Sequence, residues 1–180
     1  MRVLFAAFLL LLVGTAAVFA QTDKTKRIKE IRDYYTKVSN EIERIEKDEE
    51  AAFQSELAVN ELVVNKLNKS WPAVGNYTVI YRFYYKQMGE DHYPSHLVKV
   101  TKKTVSAART YYQEYLFEEN GELMFSFAKD SSGEDLRLYY KDGKFLDYKG
   151  SGDRLLAAAS SSGAVLKAGE LKEMFRLSID

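Results

Sequence analysis

Two stretches decide the fold of this chain: "EYLFEENGELMFSF", residues 114–127, and "LRLYYKDGKFLDYK", residues 136–149. Each runs from aromatic and apolar residues into Asn120-Gly121 or Asp142-Gly143 and out into apolar residues again. Asn-Gly and Asp-Gly tolerate the positive φ that tight turns require, so both stretches are expected to be β-hairpins. Cross-strand pairing separates the possible loop lengths. In the second hairpin a two-residue loop sets Lys141 against Lys144 and Leu138 against Asp147. A three-residue loop, Lys141-Asp142-Gly143, instead sets Arg137 against Asp147, Asp135 against Lys149, Leu138 against Leu146 and Leu136 against Tyr148. In the first hairpin, the three-residue loop Glu119-Asn120-Gly121 pairs Phe117 with Leu123 and Tyr115 with Phe125, while Glu118 opposes Glu122. Both hairpins are therefore expected to use a three-residue loop with glycine in its left-handed third position.

The segments before these hairpins extend the sheet. "YTVIYRFYY", residues 77–85, is β-branched or aromatic except for Arg82 and is the strongest strand of the chain. "HLVKVTKKTV", residues 96–105, alternates Val98 and Val100 with lysines. "LAVNELVVNKL", residues 57–67, leans toward strand through Val59, Val63 and Val64. Pro72 and Gly75 make "NKSWPAVGN", residues 68–76, a loop, and "KQMGEDHYPS", residues 86–95, is a second one.

Helices flank this block. From residue 24 to about 53, Ile28, Ile31, Tyr35, Val38, Ile42 and Ile45 recur at steps of three and four, one apolar stripe on an otherwise charged helix. Asp23 is a plausible N-cap. Glu49 and Ala52 break the heptad seam, which favours one helix lying across a sheet over a coiled coil. At the other end, "GSGD" is a joint, Asp153 can cap a short helix, "SSSG" at 160–163 interrupts it, and "AVLKAGELKEMFRLSID" closes the chain as a helix. Segregated helix and strand blocks argue α+β. The expected architecture is a long N-terminal amphipathic helix (24–53) packed on a curved antiparallel meander of about five to seven strands (57–149), with a helical C-terminus (153–178).

The first twenty residues, "MRVLFAAFLLLLVGTAAVFA", combine Arg2, an apolar core and Val18-Phe19-Ala20 in the pattern of a signal peptide cleaved after Ala20. An uncleaved anchor is the alternative. Residues 21–180 are then a single exported domain, secreted or periplasmic, with no membrane span after cleavage. At that size a chain buries roughly 70% of its unfolded surface, enough for one core. Without cysteine there is no disulfide, thiolate ligand or nucleophile, which points to a bacterial envelope protein more than an animal one. The sequons at Asn68 and Asn76 matter only in a glycosylating host. Lys and Arg balance Asp and Glu at 26 each, without the basic excess of a nucleic-acid binder. The cluster Lys99, Lys102, Lys103 reads as a charged strand edge.

Motifs for catalysis are missing: no G-x-S-x-G elbow, phosphate loop, dinucleotide fingerprint or HExxH occurs. His92 and His96 are the candidate metal ligands, but Pro94 between them spoils a helical pair and solvated histidines explain them as well. No cofactor is implied. Carboxylate pairs such as Glu90-Asp91 and Glu118-Glu119 fall in turns. The thirteen tyrosines and ten phenylalanines carry more information. Either they simply favour strands, or those turned from the core offer flat contact surface with a polar handle. On the register above, Arg137, Tyr139 and Phe145 turn away from Leu136, Leu138, Leu146 and Tyr148. Tyr84 lies on the second face of its strand, and Trp71 either plugs the sheet or stands exposed for recognition. The chain is expected to be a non-enzymatic binding module for a protein, peptide or glycan, with Trp71, Tyr84, Arg137, Tyr139 and Phe145 as its contact residues. The alternatives are a carrier with a hydrophobic pocket between helix and curved sheet, or a hydrolase of unrecognised type.

The exported helix, the "YLFEENGELMFSF" hairpin and the "EDLRLYYKDGKFLDY" segment together resemble uncharacterised secreted proteins of Bacteroidetes-type gut and oral bacteria. The likeness is best over residues 111–148. It implies a secreted or periplasmic α+β domain and brings no functional residues with it.

Overall fold

The computed structural model describes the backbone of residues 2–73, 75–86, 96–107, 109–150 and 154–179, and the side chains of these except within 2–20 and 154–159. Helix α1 spans Arg2–Lys47 and α2 Glu49–Gln54. Eight strands follow: β1 Leu57–Val64, β2 Ser70–Trp71, β3 Gly75–Lys86, β4 His96–Ser106, β5 Thr110–Phe117, β6 Leu123–Lys129, β7 Asp135–Lys141 and β8 Lys144–Gly150. Helix α3, Arg154–Ile179, ends the chain. The sheet is open and antiparallel in the order β1-β3-β4-β5-β6-β7-β8, with the short β2 paired to β3. This is an α+β fold with one strand more than the expected upper number.

Both faces of the sheet are covered, not one. Under α1 lie Tyr84, Val98, Leu116, Met124, Phe125 and Tyr139, packed against Ile31, Val38 and Ile42 of the helix stripe. Under α3 lie Tyr81, Phe83, Tyr85, Val100, Tyr115, Phe117, Leu138 and Tyr140, with Ala168, Leu171 and Phe175. Sheets with large apolar groups on both faces need a layer on each side. Dense aromatics on alternate positions of β3 serve these two cores in turn.

Three β-bulges adjust the sheet to α1. The register steps where Tyr84 pairs with Lys99 but Tyr85 with Leu97, where Leu116 pairs with Phe125 but Phe117 with Leu123, and where Tyr139 pairs with Asp147 but Tyr140 with Phe145. The extra residues are Val98, Met124 and Leu146, and all three pack in the cluster under α1. An extra residue on one strand adds a side chain to one face. Burying each such group contributes on the order of 1.5–3 kcal/mol, so the bulges enlarge the floor on which α1 rests.

Several details differ from the sequence reading. The first hairpin keeps its three-residue loop: Gly121 N donates to Glu118 O at 2.8 Å, Glu118 N to Glu122 O at 2.8 Å, and Gly121 has φ 78°. Phe117 pairs with Leu123 as expected, but the bulge at Met124 moves Phe125 opposite Leu116 rather than Tyr115. The second hairpin adopts the two-residue loop instead. Asp142 (φ 52°) and Gly143 (φ 67°) are both left-handed, the geometry whose twist matches the strands. Lys141 does oppose Lys144, and the like-charge contact is relieved from outside the hairpin, because Lys141 Nζ donates to Asp23 Oδ2 of α1 at 2.6 Å. Asp23 is thus an ion-pair partner inside α1 and not its N-cap. Asp48, in extended geometry, stops α1 and caps α2 by accepting from Glu50 N and Ala51 N at 3.0 and 3.3 Å. At the C-terminus, α3 runs through residues 160–163 without the expected interruption. Ser161 there is buried against the sheet, near the Tyr140 hydroxyl.

Candidate functional site

The two helices leave part of each sheet face open. On the α3 side, Lys102 of β4 is half-buried, its pKa lowered by burial and by the Lys167 charge of α3. Beyond Lys102 toward the β4–β5 turn the face is bare. Val64 pairs with Val79, Val79 with Thr104 and Thr104 with Tyr111, so these side chains form one row across four strands. Leu62 and Tyr77 flank the row. Trp71, opposite Gly75, sets its ring 6.2 Å from that of Tyr77 in a T-shaped contact. Leu62, Val64, Tyr111 and Trp71 are all exposed, Trp71 at 54%. The turn after β1 is fixed by Asn65, whose side-chain amide donates to Lys69 O at 2.8 Å and Tyr77 O at 2.7 Å. That turn holds exposed Lys66 and Lys69 near Trp71. On the other side the patch runs into a groove of about 470 Å³ lined by Tyr111, Gln113 and Leu136 and by charges of both signs, Lys102 and Lys129 with Asp130 and Glu134. The surface is aromatic and aliphatic in the middle, basic at one end and mixed in charge at the other.

On the α1 side, a cleft of about 340 Å³ opens between the helix and strands β3 to β5. Its back wall is an ion pair: Lys99 Nζ lies 3.0 Å from Glu114 Oε2, with the side chains 5% and 8% exposed. The approach is off-line for a hydrogen bond, and Oε2 has none. Lys99 also donates to Ser39 Oγ at 3.2 Å and stands 4.5 Å above the Tyr35 ring. Tyr112 OH donates to Glu114 Oε1 at 2.7 Å. Nearer the edge, Glu46 Oε1 accepts from Tyr84 OH at 2.5 Å and from Arg82 at 3.1 Å, and Arg82 Nε donates to Glu61 at 2.8 Å. Burial, aided by the Glu114 charge, pushes the Tyr35 phenol up to about 12 and raises Tyr112 as well. Burial and the Glu46 hydrogen bond raise Tyr84. The hydrogen bond to Glu61 is the main cause that raises Arg82. These tyrosines stay neutral donors at neutral pH.

The residues expected to form the contact surface are not brought together. Trp71 is exposed. Arg137 is half-exposed on the α1 side, paired with Asp135 at 2.7 Å and 5.3 Å from the Phe127 ring. Tyr139, 3% exposed, is core under α1, 5.4 Å from Phe125. Tyr84 is core on the same side. Phe145 packs on the opposite side under α3. The two-residue loop sets Phe145 opposite Tyr140 instead of Tyr139, which puts it on the other face of the sheet. Lys99 is no edge charge either, since β4 lies inside the sheet. Lys99, flanked by Val98 and Val100, and Glu114, flanked by Gln113 and Tyr115, carried no signal that set them apart from the other charges of their strands. Leu62, Val64, Tyr77 and Tyr111 carried no such signal either. His96 opens β4 opposite Lys86; His92 lies outside the described residues. Among the described residues no three His, Asp or Glu side chains gather to hold a metal, and no helix is long and apolar enough to cross a membrane.

No family model, curated protein or solved structure matches the chain.

Proposed function

We propose that the chain is an exported, non-enzymatic binding module that takes an extended peptide segment of a partner protein along the bare α3-side end of its sheet. The observation that carries this reading is the patch of exposed Leu62, Val64, Trp71 and Tyr111 around half-buried Tyr77, on a molecule whose helices otherwise cover both sheet faces. Exposed apolar side chains scattered singly need no explanation, but a contiguous patch with charged rims marks an interaction surface. Trp and Tyr are the residues most often found as binding anchors. The neighbouring edge strand favours the same reading. β8 is protected by Lys144, Lys149 and a bulge, whereas β1 carries Glu61 as its one charge in eight residues and has no strand on its outer edge among the described residues. Export is supported by the signal-like first twenty residues.

The charged lining of the α1 cleft speaks against a hydrophobic carrier. The test selects binders from a displayed peptide library and reads the emission of Trp71, the sole tryptophan. Binding on the patch shifts that emission to the blue, and Trp71→Ala abolishes capture while the protein stays folded. Selected peptides that leave the emission unchanged and bind Trp71→Ala equally would refute the reading.

A further inference from the structure

The cleft beside α1 has a chemistry that the proposed peptide surface does not use, and it opens on the other side of the sheet. Arg82, Lys99 and Lys103 are matched around it by Glu46, Glu61 and Glu114, so the site carries no net charge. The back wall is rigid, because Lys99, Ser39, Glu114 and Tyr112 bind one another. The front is not saturated. Lys103 is exposed, Glu46 Oε1 accepts two hydrogen bonds, and among the described residues neither Glu46 Oε2 nor the Thr101 hydroxyl has a hydrogen-bond partner. Ile80 and the rings of Tyr35 and Tyr112 line the space between these groups.

This combination discriminates by charge. An anion entering the front would meet the Glu46 carboxylate, and a cation would meet Arg82 and Lys103. A hydroxyl both donates and accepts, so it can bridge a carboxylate and a cation and leave neither unpaired. Adjacent hydroxyls on a ring do this repeatedly, while the C–H face of the ring packs on apolar and aromatic walls. The volume, about 340 Å³, falls at the lower end of the range for small-molecule sites.

We infer that the cleft between α1 and strands β3 to β5 binds a neutral sugar of mono- to disaccharide size. Glu46 and Arg82 clamp vicinal hydroxyls, and Thr101 and Lys103 reach them from the mouth. The buried Lys99–Glu114 pair holds the floor in place and does not itself touch the sugar.

Calorimetric titration of the protein tests this with glucose, galactose, N-acetylglucosamine and cellobiose. Glucuronate, glucosamine and inorganic phosphate serve as charged probes. The expected result is saturable binding of at least one neutral sugar, stronger than binding of every charged probe. Arg82→Met and Lys103→Met should each weaken it at least about tenfold, the loss of one charge-assisted contact. Both residues are solvent-accessible, so their replacement should preserve the circular dichroism spectrum; if Arg82→Met misfolds, Lys103→Met and Thr101→Val decide alone. Trp71→Ala should leave the sugar affinity unchanged, which separates this site from the peptide surface. Three results would each overturn the inference: no saturable neutral sugar, preference for a charged probe, or undiminished affinity in the folded cleft variants.

Discussion

Replacing Lys99 by methionine should destabilise the protein severely, and replacing Glu114 by glutamine at the same time should restore most of the loss. In the intact protein the two side chains are 5% and 8% exposed and stand 3.0 Å apart. Taking either partner away leaves a charge buried without its counter-ion, which costs about 3–5 kcal/mol. For a domain of this size each kcal/mol moves the melting temperature by about 2–4 °C, so each single variant should melt about 6–20 °C lower. The double variant buries no charge. Its methionine still reaches the Tyr35 ring, where a thioether packs favourably, and its amide can still accept from Tyr112. It should therefore lie within about 1 kcal/mol of the parent, because neutral replacement of a buried pair is often close to neutral. Urea unfolding of the four proteins measures the cycle, and the expected coupling is at least about 5 kcal/mol. Single variants that lose less than about 1 kcal/mol, or a double variant as poor as the sum of the singles, would show that water reaches the pair. The rigid floor assigned to the α1 cleft would then be wrong.

Two further perturbations probe the fold. Gly150 has φ 136°, and a Cβ there would stand 2.1 Å from the carbonyl oxygen of Asp135. Gly150→Ala should cost about 1–3 kcal/mol by urea unfolding, and an unchanged midpoint would mean that the β7–β8 pairing is looser than described. In alkaline solution, burial holds the Tyr35, Tyr115 and Tyr140 phenols up at about 12, above the ordinary value of about 10. A raised folded value means that the unfolded chain loses these protons first. Their favourable contribution is complete below about pH 10 and is lost as pH rises toward about 12. Absorbance titration near 295 nm should therefore show exposed tyrosines ionising first and the buried ones together with unfolding; a single step at the ordinary value would contradict their burial.

Local patterns in the sequence were enough to place most elements. The i, i+3, i+4 stripe from Ile28 to Ile45 marks the face of α1 that is buried, and the β-branched and aromatic run of β3 lies at the centre of strong pairing. Asn120-Gly121 and Asp142-Gly143 both sit at turns. What escaped was set by contacts distant in sequence. In the second hairpin the two-residue turn sets Lys141 against Lys144, and the ion pair that offsets this comes from Asp23, more than a hundred residues away. The bulges at Val98, Met124 and Leu146 answer to the volume under α1, which no alternation pattern records. The shorter loop also slips β8 by one residue, which is why Tyr139 and Phe145, expected on one exposed face, are buried on opposite sides. The candidate surface was legible only at Trp71, where Pro72 removes the chain from regular helix. The rest of the patch is exposed because α3 passes elsewhere, a fact of helix placement and not of local sequence.

Trp71 also offers the most direct measurement of the central claim. Acrylamide quenching of its fluorescence should be efficient in the free protein, as its 54% exposure requires. Saturation with a selected peptide should suppress quenching and shift emission to the blue. Tyr77→Ala, which removes the ring beside it, should weaken the peptide by about 2 kcal/mol, the scale of a binding anchor. Quenching that persists at saturation, with peptide affinity indifferent to both Trp71→Ala and Tyr77→Ala, would place the binding surface elsewhere on the molecule.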